Sequence, residues 1–209
     1  MPADNSSSSD WGLHARMYAF IGNSLLIPMN GEFSQGLQKD FWGSFATDGD
    51  NEHIRTGIAK LSAYAERASE MELEDAVERV NVEFAHLFIG PPAPAVPVWE
   101  SVAHGAKVGF GTPAFEMQTL FDKAHLEVNG PCNQYADHMG LELLYLSFCC
   151  SQFKEDEPSF EDECMLRDYI VDHPLSWAQI FAERIAEEAP GGYFEGLSEL
   201  MWGLLLAEV

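Results

Sequence analysis

The sequence predicts an all-α protein, a helical bundle of about nine to ten helices. Two observations lead there. Apolar residues recur at three- and four-residue steps along nearly the whole chain, which is the period of one face of a helix. Almost no stretch alternates with period two, as a half-buried strand would. A third supports them: prolines, glycine pairs and short polar caps fall at the ends of the apolar runs.

Residues 1–9 are polar and Ser-rich, and are expected to form a disordered tail. Asp10 can cap a first helix from about Trp11 to Ile27, with Leu13, Met17, Phe20, Ile21 and Leu25 on its inner face; Pro28 and Asn30-Gly31 end it. Phe33, Leu37, Phe41, Trp42 and Phe45 predict a short helix packed by aromatics, broken by a turn at Asp48–Asn51. Glu52 to Arg67 is a third helix, buried through Ile54, Ile58, Leu61 and Tyr64. Ser69 with Glu72 three residues on is a capping-box signature, expected to open the helix that carries Val77, Val80, Phe84 and Leu87.

That helix runs into a connector at 89–112 that cannot be regular. Pro91, Pro92, Pro94 and Pro97 remove amide donors and push the residues before them toward extended conformations. A stiff connector of this kind holds Trp99, Glu100 and Ser101 in place, and a long irregular connection inside a helical domain is more often functional than accidental. Gly105 to Gly111 is flexible by composition. Thr112-Pro113 reads as N-cap and first residue of a helix to about Val128, closed by Asn129-Gly130-Pro131. That triplet is a candidate hinge at 129–131 between an N-terminal part, 10–130, and a C-terminal part, 131–209, of one compact unit. Tyr135 to Phe153 is apolar nearly all round and is expected to be the central buried helix. Six carboxylates between Glu155 and Glu163 read as a solvated face. Ser159 can cap a helix to Val171, Pro174 starts one over Leu175–Glu188, and Pro190-Gly191-Gly192 precedes the last, Tyr193 to Glu208.

The chain has 209 residues, 46% hydrophobic and 22% charged, with a net charge of −23. Such acidity repels nucleic-acid phosphates and anionic lipid and favours a cationic partner. Cys132, Cys149, Cys150 and Cys164 form no Cys-x-x-Cys pair, which suggests reduced thiols. The N-terminus lacks the basic and apolar parts of a signal peptide, and no run approaches a membrane span. The expected location is the cytoplasm.

Candidate chemistry centres on Asp137, His138 and Glu142. His138 and Glu142 stand four apart on one helix face. They could supply two metal ligands, but a metal needs a third and fourth donor, and nothing in the spacing of His104 or His173 provides them. A hydrogen bond from His138 to Glu142 or to a backbone carbonyl is the plainer reading. Ser101 lies in no nucleophile elbow, no P-loop is present, and the Gly109–Gly111 step is too short to cradle phosphate. Catalysis therefore has no support and no cofactor is expected. Phe84 and Leu87 fit the core at helical spacing, whereas Trp99, in a proline-rich connector, offers the apolar face and single donor that interface anchors use.

Three motifs resemble the TorD/DmsD/NarJ-like family of redox-enzyme maturation chaperones. The first is Phe84-x-x-Leu87-Phe88-x-Gly90, the proline run, then Pro97-x-Trp99-Glu100-Ser101-Val102, with Ala103 where an aromatic usually follows. The second is Ala136-Asp137-His138-x-x-x-Glu142-Leu143, and the third His173-Pro174-Leu175-x-Trp177-x-x-x-Phe181. They come in the family's order and cover roughly residues 80–205. The resemblance implies an all-helical cytoplasmic chaperone, monomeric or a domain-swapped dimer, for a molybdenum-cofactor oxidoreductase. It would bind that enzyme's twin-arginine signal peptide or apoenzyme until cofactor insertion is complete. Guanidinium groups followed by an apolar segment need carboxylates beside a hydrophobic groove. Leu87, Phe88, Trp99, Glu100, Ser101, Asp137, His138 and Glu142 are the expected peptide-binding residues. The alternatives are a small metal-dependent or acid–base enzyme using Asp137, His138 and Glu142, and a scaffold binding through the acidic turn at 155–163.

Overall fold

The computed structural model describes residues 11–45, 51–90, 93–128, 134–153 and 157–209. The expected tail, the Asp10 cap, Pro91 and Pro92, the 129–131 hinge and Cys132 lie outside the described residues. Among the described residues the protein is all-α, with eight helices of 12 to 17 residues and one of a single turn. They are α1 (Trp11–Leu26), α2 (Glu52–Ala68), α3 (Leu73–Phe88), α4 (Glu100–Ala103), α5 (Thr112–Lys123), α6 (Met139–Phe153), α7 (Phe160–Asp172), α8 (Pro174–Glu188) and α9 (Tyr193–Ala207). The long helices are slightly fewer than expected.

Four local expectations change. The aromatic segment 33–45 is not one helix but three 3-10 turns, Gly31–Phe33, Gln35–Leu37 and Trp42–Ser44. Gly36 and Gly43 weaken a continuous helix there, and the Trp42 indole fixes the fold of the segment by donating to the Gly36 carbonyl at 2.8 Å from a fully buried position. Ser69 does not open α3: it ends α2, its amide donating to Ala65 and its hydroxyl to Glu66, while Glu72 is the N-cap of α3. Gly111, not Thr112, is the N-cap of α5, which stops at Lys123. The central helix α6 starts at Met139, because the residues before it are held by the proline connector instead. The Ser159 cap is present as a full capping box with Asp162, whose hydrogen bonds hold its carboxyl below the usual range.

Two helix pairings dominate the packing, α1 against α6 and α2 against α9, with α8 laid on α9 and α7 on α8. Where α1 crosses α6, a Cβ added to Gly22 would meet the Gly140 carbonyl oxygen at 2.8 Å, and one on Gly140 would meet that of Gly22 at 2.7 Å. The two backbones therefore touch, and this contact seats the first turn of α6. Tyr18, Ile21, Leu61, Leu143, Leu146, Trp177, Leu197 and Met201 fill the core between these helices. The N-terminus of α9 is capped from α3: Glu83 accepts from the Tyr193 and Phe194 amides at 3.0 and 2.8 Å.

The connector after α3 turns at Gly90, whose φ of +90° favours glycine and whose amide bonds back to Ala85. The chain then doubles back, Val96 N–H donating to Leu87 at 3.1 Å, and sinks Val96 and Val98 into the core. That delivers Trp99 and α4 to the start of α6.

Candidate binding site

Trp99 and His138 form an isolated antiparallel bridge. Glu100 N–H donates to the Asp137 carbonyl at 2.9 Å and Met139 N–H to the Val98 carbonyl at 3.0 Å. The proline connector is thereby stitched to the entry of α6, bringing together residues 37 to 41 positions apart. Side chains complete the joint. Asp137 Oδ2 accepts from the Ser101 amide at 3.0 Å and the Ser101 hydroxyl at 2.5 Å, so a carboxylate from the turn before α6 caps α4.

Glu100, Asp137 and Glu142 are 3%, 0% and 0% exposed. Three carboxyl groups are thus buried around one joint. Glu100 Oε2 faces His173 Nδ1 at 3.0 Å, and its Oε1 lies 3.6 Å from His104 Nε2. His104, 43% exposed and within 3.2 Å of the Ser176 hydroxyl, covers Glu100 from solvent. Glu142 Oε2 accepts from the Trp177 indole at 3.1 Å, and the Tyr169 hydroxyl donates to the Glu142 carbonyl at 2.8 Å. Desolvation, with the charge of Glu100 second, pushes the Glu142 carboxyl well above the usual carboxylate range. Asp137 Oδ1, Glu142 Oε1 and Trp99 Nε1 are buried without a hydrogen-bond partner of fixed geometry.

Among the described residues the His138 ring hydrogen-bonds neither Glu142 nor a carbonyl. Its Nδ1 accepts from the Gly140 amide at 3.0 Å, and burial lowers its pKa to about 3, so it is neutral. Asp137, His138 and Glu142 each face a different partner, and among the described residues no three His, Cys, Asp or Glu side chains converge in a metal-binding arrangement. The geometry does not favour the metal-enzyme alternative.

The apolar half of the expected site divides. Leu87 is fully buried and Phe88 nearly so, Phe88 stacking on Phe181 and meeting Phe194 edge-on at 5.0 Å; in this conformation neither offers surface to a peptide. Trp99 is half-buried, edge-on to Tyr135 at 5.9 Å and to His138 at 6.4 Å. From Trp99 an aromatic ladder continues outward. Tyr135 meets Phe110 at 5.5 Å, and Phe110 meets Phe115 at 4.8 Å. Tyr135, Phe110 and Phe115 are 43%, 56% and 57% exposed. Gly109 permits the ladder, because a Cβ there would come within 2.7 Å of both the Trp99 and Tyr135 rings. Sequence reading missed these rungs, as it missed His104 and Trp177 as partners of the carboxyl groups. The available signal was Gly109-Phe110-Gly111, an aromatic between glycines ahead of a helix start.

A separate cleft of about 440 Å³ lies between α1, the 3-10 segment and the start of α9, lined by Phe20, Ile27, Met29, Phe33 and Phe194 with Arg16 at its edge. It includes none of the eight expected residues. Cys149, Cys150 and Cys164 are free thiols, and burial pushes Cys149 up to about 11. No described helix is long and apolar enough to cross a membrane.

Comparison with known proteins gives a consistent picture. The family model described as nitrate reductase delta subunit matches residues 47–183. The chain is 23% identical over 154 residues to the chaperone protein TorD of Aliivibrio salmonicida, covering 71% of this chain and 72% of the relative. It is 25% identical over 130 residues to the chaperone protein TorD of Vibrio cholerae, spanning 61% and 59% of the two chains. A probable Tat proofreading chaperone DmsD from Haemophilus influenzae is 23% identical over 124 residues, spanning 59% of this chain and 57% of the relative. These relatives are named as chaperones, not as enzymes.

Proposed function

Because the chain belongs to the nitrate reductase delta subunit family, the TorD/DmsD/NarJ-like group of chaperones, we propose that it is a cytoplasmic maturation chaperone for a molybdenum-cofactor oxidoreductase. It binds the twin-arginine signal peptide of that enzyme, or its apoenzyme, until cofactor insertion is complete. The observation that carries this reading is the aromatic ladder Phe115–Phe110–Tyr135–Trp99, which leads from solvent to the joint where Glu100 and Asp137 are buried. An exposed aromatic surface suits an apolar segment, and carboxyl groups at its inner end suit the guanidinium groups that precede that segment. The net charge of −23 steers a cationic peptide toward the protein. Leu87, Phe88, Ser101, Asp137, His138 and Glu142 act from beneath this surface by fixing Trp99 and Glu100 in place. The name of the Haemophilus relative, a Tat proofreading chaperone, supports the signal-peptide assignment.

The test is binding kinetics against a twin-arginine peptide and its lysine-substituted counterpart at low and high salt. Lysine keeps the charge but loses the planar fork that pairs with a carboxylate. The lysine peptide is expected to dissociate faster from the wild-type protein, and Glu100→Gln to erase most of that difference. Salt slows association of both peptides, because long-range fields are screened beyond about 8 Å at physiological ionic strength. If the two peptides behave alike on the wild-type protein, direct arginine recognition is wrong.

A further inference from the structure

Glu100 and Glu142 are carboxyl groups from two elements, α4 and α6, both buried at the same joint, where Glu142 Oε1 has no other partner among the described residues and Glu100 lies within hydrogen-bonding reach of the Glu142 carboxyl. Two facing carboxylates have no hydrogen to share unless one of them is protonated. The surroundings bear on which state holds. From the turn before α6, Asp137 adds a third acidic group and His138 is neutral. From α7, Tyr169 presents its hydroxyl to the Glu142 carbonyl, and His173, between α7 and α8, faces Glu100. From α8, Trp177 donates to Glu142 Oε2. From the residue that follows α4, His104 lies over Glu100. Among the described residues no lysine or arginine forms an ion pair with either glutamate. A fully buried carboxylate without a cation is far costlier than the neutral acid. The neutral acid also gives Glu142 Oε1, otherwise without a partner, a hydrogen to place on Glu100.

We propose that Glu100 and Glu142 hold one hydrogen between them in the free protein and release it to solvent when an arginine of the bound peptide docks on Glu100 past His104. The inference rests on the twin-arginine reading above. The step balances: the O–H bond of the Glu142 acid breaks, the proton leaves to solvent, and the electron pair stays on Glu142. The arriving guanidinium keeps its own protons and brings a fixed positive charge to Glu100. His104 is the movable part, since it is 43% exposed and its contact with Glu100 is long, 3.6 Å. The stored hydrogen keeps the pocket tolerable while empty, and a neutral apolar peptide, bringing no charge, would leave it in place.

Two measurements on the full chain test this. Calorimetric titration with a twin-arginine peptide in buffers of different ionisation enthalpy is expected to show about one proton released per peptide bound. Affinity should rise by up to roughly tenfold per pH unit while the free protein still holds the proton. Glu142→Gln keeps a hydrogen-bond donor facing Glu100 but has no proton to give, so its binding heat should be independent of buffer. In parallel, the infrared carbonyl band of a protonated carboxyl should be present in the free wild-type protein, absent from Glu142→Gln, and lost when peptide is added. Peptide binding with buffer-independent heat, or no such band in the free protein, overturns the proposal while leaving peptide recognition standing. Absence of any peptide binding refutes the twin-arginine reading and with it the coupled release, whatever the band shows.

Discussion

Replacing Asp137 by alanine should loosen the proline connector more than any other single change at the joint. Asp137 is fully buried, and one of its oxygens holds both the Ser101 amide, at 3.0 Å, and the Ser101 hydroxyl, at 2.5 Å. Hydrogen bonds to a charged acceptor each contribute about 1.5–3 kcal/mol, and the substitution leaves two buried donors without an acceptor. The expected loss is about 3–5 kcal/mol, a melting temperature lower by roughly 10 °C in a chain of this size. Ser101→Ala removes only the hydroxyl bond and should cost about 1.5–3 kcal/mol. Because the Ser101 amide is present in every variant, a double-mutant cycle isolates the hydroxyl–carboxylate contact, with an expected coupling of about 1.5–3 kcal/mol. The assay is urea unfolding of wild type, both single variants and the double variant. A loss below about 1 kcal/mol for Asp137→Ala would show that this carboxylate does not hold the connector and that the backbone bridge alone does, and strict additivity in the double variant would show that the hydroxyl contact contributes nothing.

Gly22→Ala should destabilise the fold by about 1–3 kcal/mol, since its Cβ would press on the Gly140 carbonyl; an ordinary helix position would gain from the same change, and a gain in urea midpoint would mean the two helices can part without cost. Trp99→Phe keeps a ring on the ladder and removes a buried indole donor that has no partner, so stability should change by less than about 1 kcal/mol, whereas Trp99→Ala should weaken binding of a twin-arginine peptide by roughly 2 kcal/mol, read by fluorescence competition. If Trp99→Phe is strongly destabilising, the indole has a structural partner. Glu142 gives a pH signature of definite sign. Its folded carboxyl titrates above the ordinary 4.5, so the folded state binds the proton more tightly than the unfolded chain, and wild-type stability falls as pH rises from 4.5 toward the folded value. Glu142→Gln removes that slope, and the stability gap in its favour should widen with pH in a series of urea titrations; parallel profiles would mean that Glu142 is ionised in the fold.

The helices were largely readable because periodicity reports which face meets the core, whatever the core contains. Tyr193 to Ala207 and Phe160 to Asp172 appear within a residue or so of expectation. Where expectation failed, a long-range contact had replaced a local one. Ser69 and Glu72 fit a capping box, yet the chain spends Ser69 on closing α2. Trp42 looks like a helical aromatic, yet its indole reaches back to Gly36 and sets a series of tight turns. The site was partly legible for the same reason. Trp99, Glu100, Ser101, Asp137 and His138 do meet, but no spacing rule reveals that Asp137 would cap α4 or that Trp177 would hold Glu142. The outer aromatic rungs were hidden because a Phe between glycines carries no period at all.

The pairing of α1 with α6 and α2 with α9 has a consequence in time. Each pair joins segments more than a hundred residues apart, so at about 5–20 residues per second the earlier helix waits of the order of ten seconds for its partner to be synthesised. Over that interval the faces of α1 and α2 that α6 and α9 will cover stay open, with the 3-10 segment packed only beside them. The joint between the connector and α6 closes only after residue 138 has emerged, and its support from α8 later still. A nascent chain stalled in its first half would therefore display sticky helices and no binding site, and a free N-terminal fragment should behave as a client of other folding factors instead of as a partial chaperone.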